Sequence, residues 1–250
     1  MRHEGGYIGT QPNWDGANRP GNWNIFDVYN RQRRNLWIRS SDPFVNSVVC
    51  DLRFEGLNNG IVFSDSGPLL LPVSRLGTTG VTTSTTRSKY GDTSALFPDS
   101  NGYLSINHPN LALGTGNFTI EMWLFASTSR SNNGILSFGT SNSVFTVILF
   151  VSSNSLRVVG TSSIASIPLN TWFHVAYVRE GVGTNQAKTY LNGNLINQST
   201  NTTNYNQTFY NLGVYSSASF CWGGNIDNFR VTKAARYLTN FNPETDTYMS

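Results

Sequence analysis

Two acidic residues, Glu121 and Asp227, stand in alternating, strand-like stretches where a carboxylate could act in catalysis. Catalysis by a pair of carboxyl groups needs one as proton donor and the other as nucleophile, about 5 Å apart, and alternate positions on one strand face can provide them. Glu121 is the one acidic residue of its strand, and Asp227 has no acidic residue two or four positions away. We therefore expect structural roles, with Glu121 at the rim of a sheet and Asp227 accepting hydrogen bonds from the amides of a neighbouring loop.

The histidines and cysteines do not add a catalytic centre. His3, His108 and His174 are scattered, and the apolar stretch around His174 favours a packed, hydrogen-bonded histidine over a general base. Cys50 and Cys221 are too few for a disulfide scaffold and are expected to be buried as small hydrophobic residues. Since nucleophile motifs, phosphate-binding glycine loops and zinc-type spacings are also missing, the sequence predicts that the chain is not an enzyme.

The elements that would position these residues are short β-strands joined by tight turns. Only 12% of the 250 residues are charged while 13% are aromatic, and glycine is abundant, which is typical of one large all-β domain with an appendage. The Asn192-Gly193 pair predicts a hairpin turn, because both residues tolerate positive φ. The predicted strands cover residues 48–56, 61–67, 93–97, 102–106, 117–125, 134–138, 144–150, 156–160, 172–179, 188–191, 194–196, 209–214 and 224–233.

The apolar side chains of these strands predict a single core. From alternation we expect Phe118 and its apolar neighbours to face inward, while the other face of the same strand is half covered. The predicted core includes Phe118, Ile120, Trp123, Val147, Leu149, Trp172 and Val175.

The first 40 residues form an arm that differs from the rest of the chain. Their six arginines and three acidic residues account for the whole formal net charge of +3, and a short helix is predicted over residues 25–36. The arginines are interspersed with tryptophans, which favours a protein surface as the target rather than nucleic acid. The residues predicted to contact this partner are Trp14, Trp23, Tyr29, Arg33, Arg34 and Trp37.

Several stretches in the same order resemble the laminin-G-like jelly rolls of the concanavalin A-like lectin/glucanase superfamily, in particular those of bacteriophage virion proteins. They are Ser88-Lys89-Tyr90-Gly91, Phe118-Thr119-Ile120-Glu121-Met122-Trp123, Trp172-Phe173-His174-Val175-Ala176-Tyr177-Val178-Arg179 and Gly224-Asn225-Ile226-Asp227-Asn228-Phe229-Arg230-Val231-Thr232-Lys233. The resemblance covers about residues 47–240, with a leader at about 5–40. It implies an all-β, two-sheet antiparallel jelly-roll sandwich over residues 41–250, preceded by the extended arm with its short helix over residues 1–40.

The resemblance also implies two kinds of ligand. Many such jelly rolls hold Ca²⁺, and the resemblance places one of its ligands at Asp65, with Asp227 as a candidate second ligand. The alternative is that Asp65 is a turn former. Carbohydrate binding is the most familiar activity of the superfamily, and it needs aromatic faces. Candidate aromatics are Tyr205, Tyr210, Tyr215 and Trp222, with Phe209 and the 197–208 loop beside them, and core packing is the alternative for each.

The function implied by the resemblance is that of a non-enzymatic bacteriophage virion structural protein. Its arm would attach to other capsid or tail proteins and its jelly roll would be displayed. The first alternative is a glycan- or receptor-binding tail protein, and the second is a polysaccharide-degrading enzyme. A homo-oligomer is expected, and neither nucleic acid nor a membrane is an expected partner. Because no signal peptide and no run of about 18 apolar residues is visible, we expect a soluble protein made in the host cytoplasm and located in the virion.

Overall fold

The computed structural model describes residues 10–11, 21–22, 42–129, 131–141, 144–161, 164–215 and 220–246. The chain divides into two compact units, Met1–Asp42 and Pro43–Ser250. In the first unit, β1 (Thr10–Gln11) and β2 (Gly21–Asn22) form an antiparallel pair. The helix predicted over residues 25–36 lies outside the described residues and stays a prediction.

The second unit is a sandwich of two antiparallel sheets, which confirms the predicted all-β jelly-roll fold. The strands of the eight-stranded sheet are β3 (Val48–Leu52), β5 (Thr82–Ser84), β6 (Ser94–Pro98), β8 (Phe118–Phe125), β13 (Trp172–Arg179), β14 (Ala187–Leu191), β15 (Asn194–Ser199) and β17 (Gly223–Thr232). The strands of the seven-stranded sheet are β4 (Val73–Leu76), β7 (Tyr103–Asn107), β9 (Asn133–Ser141), β10 (Val144–Ser152), β11 (Ser155–Val158), β12 (Ala165–Ser166) and β16 (Phe209–Leu212).

Strand order places β8 and β17 in the middle of the eight-stranded sheet. The order is β15-β14-β13-β8-β17-β6-β5, with β3 also paired to β17, and the other sheet runs β12-β11-β10-β9-β16-β7-β4. The pairing of β3 with β17 sets Cys50 opposite Val231, so Cys50 and Cys221 are separate; both are buried and free, as predicted.

Helical structure among the described residues is short. It consists of two 3-10 turns, Val45–Ser47 and Pro109–Leu111, and one helix, α1 (Pro243–Asp246). None of the described helices combines the length and the apolar character needed to span a bilayer.

Alternation along the strands builds the core between the sheets. Phe118, Ile120, Met122 and Leu124 of β8 point into it and are fully buried. Of the other predicted core residues, Leu149 and Val175 are also fully buried there, while the side chain of Val147 lies outside the described part.

Both predicted core tryptophans need correction. Trp123 is buried but points to the outer face of the eight-stranded sheet, away from the space between the sheets. Trp172 is only half-buried, because it is the first residue of β13 and packs edge-on against Phe125 at the end of the sheet.

The strand predicted over residues 61–67 is also wrong. That stretch is a loop in which Ile61 and Val62 are exposed, and its one ladder contact is a bridge from Ser64 to Pro72. The preceding residues pair with the edge strand β5 through Asn59 N–H to Thr83 O and Thr83 N–H to Gly60 O. Residues 59 and 60 therefore cover the free edge of β5. The strands in this part of the chain are residues 73–76 and 82–84, where no strand was predicted.

Candidate functional site

The outer faces of the two sheets are the places where a ligand could meet this sandwich. On the eight-stranded sheet the outer face carries the side chains of Glu121 and Trp123 from β8, His174 from β13, and Asp227 and Arg230 from β17. All five are 3% exposed or less. We call it the closed face.

Glu121 is at the centre of the closed face. Arg230 lies opposite it in the register and donates to Glu121 Oε1 from Nε at 2.9 Å and from Nη2 at 2.6 Å. The Tyr237 hydroxyl donates to Glu121 Oε2 at 2.8 Å, and Arg236 Nε lies 3.4 Å from Oε1. Burial would raise the pKa of Glu121, but Arg230 and its neighbours outweigh that effect and lower it to about 2. Glu121 is thus a buried, ionised anchor, and its predicted place at the sheet rim is wrong.

Two segments cover the closed face. The loop strap (residues 87–92) sets Lys89 Nζ 4.0 Å above the Trp123 ring and Tyr90 edge-on to the same ring. The C-terminal strap (residues 233–246) reaches the loop strap through Glu244, which accepts hydrogen bonds from Lys89 Nζ at 2.5 Å and from the Tyr90 hydroxyl at 3.0 Å. The straps join over the sheet and bury the side chains beneath them.

His174 and Asp227 lie under these straps. His174 is fully buried, as predicted, but among the described residues neither of its ring nitrogens has a hydrogen-bond partner, so the predicted hydrogen bond is not found. Its Nε2 is 3.4 Å from Glu121 Oε2, and burial lowers its pKa, which favours the neutral ring. Asp227 accepts hydrogen bonds from the backbone N–H groups of Lys89, Tyr90 and Asn228 at 2.7, 3.3 and 2.9 Å. The prediction that Asp227 bonds the amides of a neighbouring loop is confirmed.

Asp65 has a similar structural role elsewhere in the sandwich. Its Oδ1 accepts from the backbone N–H groups of Asp51 and Gly67 at 2.7 and 2.9 Å, and its Oδ2 accepts from that of Leu71 at 2.9 Å. Asp65 and Asp227 share none of these partners, and the described residues contain no group of three or more His, Cys, Asp or Glu side chains arranged to hold a metal. Both carboxylates are occupied by backbone N–H groups, which favours the alternative that Asp65 is a turn former, and calcium binding by this pair stays a prediction.

Three of the four aromatics predicted to stack on sugars are buried in the core. Tyr210 is fully buried, stacks on Phe138 at 4.2 Å and donates to Leu111 O at 2.8 Å. Tyr205 is 3% exposed and Trp222 is fully buried. Their rings are already covered by protein, so the prediction that they bind carbohydrate is wrong.

Tyr215, the fourth, is half-buried and packs edge-on against Phe150 and Phe220. The residues predicted on the arm, Trp14, Trp23, Tyr29, Arg33, Arg34 and Trp37, lie outside the described residues.

The outer face of the seven-stranded sheet carries an open cleft of about 230 Å³. Its lining residues are Pro72, Ser74, Leu76, Ser105, Asn107 and Phe209, and we refer to these six as the cleft. The register explains the grouping, because Ser74 of β4 faces Ser105 of β7, and Asn107 of β7 faces Phe209 of β16. Phe209 is half-buried and Asn107 is exposed, so an aromatic ring and an amide lie side by side at the surface.

The polar residues of the cleft were missed in the sequence. The signal was present in β7, where Leu104 and Ile106 face the core and Ser105 and Asn107 must therefore face outward. A serine hydroxyl and an asparagine amide beside a phenyl ring are suited to hydrogen-bond hydroxyl groups and to cover an apolar ring face. None of the six lining residues is ionisable.

Two larger cavities, of about 340 and 530 Å³, open beside the C-terminal strap and share Phe44 and Leu238 in their linings. Their aromatic surfaces are already used. The Arg236 guanidinium lies 5.1 Å from the Phe44 ring centre, and Tyr237 stacks on Phe241 at 3.6 Å. The cleft is therefore the better candidate for a ligand that needs a free aromatic face.

Comparison with known proteins gives one family. The laminin-G-like family model described as the concanavalin A-like lectin/glucanases superfamily matches residues 98–239, more than half of the chain. A search of curated proteins finds no relative with significant sequence similarity.

Solved structures share the fold at low identity. Domain 4 of AbnA, an extracellular GH43 arabinanase from Geobacillus stearothermophilus in complex with arabinotriose, aligns with a TM-score of 0.59 and 15% identity, over 81% of this chain and 98% of that one. A structure of botulinum neurotoxin type C, whose cell entry depends on two ganglioside molecules, aligns with a TM-score of 0.54 and 17% identity, over 77% and 49%. The binding domain of Paraclostridial Mosquitocidal Protein 1 gives 0.57 and 12%, over 82% and 52%. The chain thus spans about half the length of these two toxin chains.

Proposed function

This chain belongs to the concanavalin A-like lectin/glucanases superfamily, and from that premise we propose that it is a non-enzymatic, lectin-like protein that binds carbohydrate in the cleft. The observation that carries the proposal is the half-buried ring of Phe209 beside the exposed amide of Asn107 in an open depression. A sugar presents an apolar ring face and a rim of hydroxyl groups. The cleft offers a partner for each of these surfaces.

The state of the carboxylates supports a binding role over a hydrolytic one. Glu121 is held by Arg230 and Tyr237 and is fully buried, and Asp227 is occupied by three backbone N–H groups. A glycoside hydrolase needs a carboxyl group on each side of the scissile bond. The cleft contains no carboxyl group, so a sugar bound there would meet neither of the two carboxyl groups that such hydrolysis uses.

The structural neighbours support the same class of ligand, although they share only the fold. The arabinanase domain was solved with a bound oligosaccharide, and the neurotoxin interacts with gangliosides. By analogy, we propose a cell-surface glycan as the ligand of this protein.

The sequence resemblance to virion proteins suggests where the protein acts. In our proposal, residues 1–40 attach the protein to other capsid or tail proteins of a bacteriophage, as a homo-oligomer, and the jelly roll is displayed at the surface of the particle. The charge pattern supports this division, because the arm holds the whole formal net charge and three of the six tryptophans.

Attachment is tested by incorporation into particles. A 41–250 fragment should fold, as judged by circular dichroism, and should be missing from particles assembled without the full-length protein. Normal incorporation of the folded fragment would contradict attachment through the arm.

Carbohydrate binding is tested with the full-length protein on a panel of immobilised glycans. At least one glycan should retain the wild-type protein, and Phe209→Ala should lose that retention while it remains folded by circular dichroism, since the ring is only half-buried. If the wild-type protein binds no glycan of a broad panel, carbohydrate recognition is wrong.

A further inference from the structure

A row of four polar residues crosses the outer face of the seven-stranded sheet. The register pairs Ser74 of β4 with Ser105 of β7, Ser105 with Asn211 of β16, and Asn211 with Ser137 of β9. Ser74 is exposed, Ser105 is 5% exposed, and Asn211 and Ser137 are fully buried. The row therefore begins in the cleft and continues beneath the surface beside it.

Asn211 differs from Ser137, the other fully buried residue of the row. Ser137 Oγ donates to the carbonyl of Val214 at 2.6 Å, whereas neither Oδ1 nor Nδ2 of Asn211 has a hydrogen-bond partner among the residues that the structure describes. A buried primary amide without partners is destabilising, and such groups in folded proteins call for an explanation other than stability. The flanking residues Tyr210 and Leu212 point into the core, so Asn211 points to the same side of the sheet as the cleft.

We propose that Asn211 is the polar floor of the cleft and that it selects neutral sugars by hydrogen-bonding two neighbouring hydroxyl groups. An amide presents a donor and an acceptor side by side, as a pair of adjacent hydroxyl groups does. Asn211 lies directly opposite Ser105, and cross-strand partners have their Cβ atoms about 4.5–5.5 Å apart. In our proposal these two side chains rotate so that the amide reaches a hydroxyl bound at Ser105. The inference rests on the proposed function, because it assigns the ligand of the same cleft.

The preference for neutral sugars follows from the lining. The six cleft residues and Asn211 carry no charge. A carboxylate on the sugar would lose water on entering and would find no arginine or lysine in exchange, which is unfavourable for binding. The recognition should also be nearly independent of salt, since no ion pair is formed.

The experiment compares the full-length protein with two leucine variants. The probes are glucose, galactose and mannose, each matched with its uronic acid, which differs only in the carboxylate at C6; binding is followed by saturation-transfer NMR and titration. The first variant is Asn211→Leu. Its matched control is Asn201→Leu, because Asn201 is also buried but donates to the hydroxyls of Tyr177 and Tyr205 at 2.5 and 2.8 Å.

The two variants should show opposite patterns. Asn211→Leu should melt at or above the wild-type temperature and bind the preferred hexose at least about tenfold more weakly, as expected for the loss of two hydrogen bonds. Asn201→Leu should melt lower and keep the wild-type affinity. If leucine overpacks the site, Asn211→Ala makes the same comparison without the added bulk.

Each contrary result is informative. Wild-type affinity in Asn211→Leu and Asn211→Ala, or uronic acids that bind as well as their hexoses, would overturn the inference and leave the proposed function intact. A large drop in the melting temperature of both Asn211 variants would show that the amide stabilises the fold, which also overturns it. If the wild-type protein binds neither these sugars nor any glycan of the panel, the proposed function fails and the inference with it.

Discussion

The two outer faces of the sandwich use opposite chemistry. The closed face holds Glu121, Arg230, His174 and Asp227 under two straps, and all four are buried and engaged with protein. The cleft on the other face has no ionisable lining residue and is open. In this protein the charged side chains hold the fold together, while the surface suited to a ligand is built from serine, asparagine and phenylalanine.

The contrast between the two faces also shows which residues carry the sequence resemblance. The stretches that carried it contribute Glu121, Asp227 and Arg230, and the adjoining residues 236 and 237 complete the same network. These residues determine how the straps seat on the sheet. A match to them therefore identifies the fold, whereas the residues of the cleft that we propose for function lie largely outside those stretches.

The largest effect should come from breaking the closed face. Glu121→Ala leaves the positive charges of Arg230 and Arg236 buried without the carboxylate that compensates them. Removing one partner of a buried ion pair costs about 3–5 kcal/mol. Chemical unfolding measures the loss. The control is Glu180→Ala, since the Glu180 side chain keeps 23% exposure in its pair with Lys188 and its loss should cost less than that of the fully buried Glu121. Equal stability of the two variants would mean that the network does not hold the straps.

The next effect should appear as a pH dependence. Burial raises the pKa of Asp227 from 3.8 to about 7, although three N–H groups favour its carboxylate. Between about pH 4 and 7 the folded protein therefore keeps a proton that the unfolded chain has released, and the free energy of unfolding falls as the pH rises.

Asp227→Asn should remove this slope, because an amide does not titrate. Urea unfolding of both proteins across this interval measures the difference. Glu121, with a pKa of about 2, acts below the interval, and His174, whose lowered pKa gives the opposite slope, is present in both proteins. Parallel stability curves across the interval would show that Asp227 is already ionised in the folded state.

The smallest effect concerns the edge of the closed face. Because Trp172 is half-buried, Trp172→Ala should cost about 1–2 kcal/mol, less than the 3–5 kcal/mol typical of a fully buried aromatic residue. The adjacent and fully buried Phe173 provides the comparison. If the two alanine variants lose the same stability in thermal unfolding, Trp172 belongs to the core after all.

The sequence predicted the fold because alternation is a local signal. The eight residues of β8 and the hairpin at Asn192-Gly193 were identified within their own stretches. The burial of Glu121 was not, because the straps that cover it are residues 87–92 and 233–246, distant in the chain. A strand pattern gives the two faces but does not show what lies over them.

The candidate site was harder to predict for a related reason. Phe209 and Tyr210 are adjacent in a four-residue strand, and a shift of one residue exchanges the faces. Both were candidates from the sequence, but Tyr210 stacks on Phe138 in the core, and Phe209 is the ring in the cleft. Each face of β16 carries one aromatic residue and one further residue that can be buried. The pattern alone therefore does not show which face of the strand points into the core.

The most direct test compares one aromatic residue from each of the two outer faces. Phe209 and Trp172 are both half-buried aromatic residues on outer faces, one in the cleft and one at the edge of the closed face. Titration of full-length Phe209→Ala and Trp172→Ala with the glycan that the wild-type protein retains best compares them under equal conditions. We expect that Phe209→Ala binds at least about tenfold more weakly, as for loss of a contact residue worth more than about 1.4 kcal/mol, and that Trp172→Ala binds like wild type. Full affinity in Phe209→Ala with a loss in Trp172→Ala would contradict it and place recognition on the closed face.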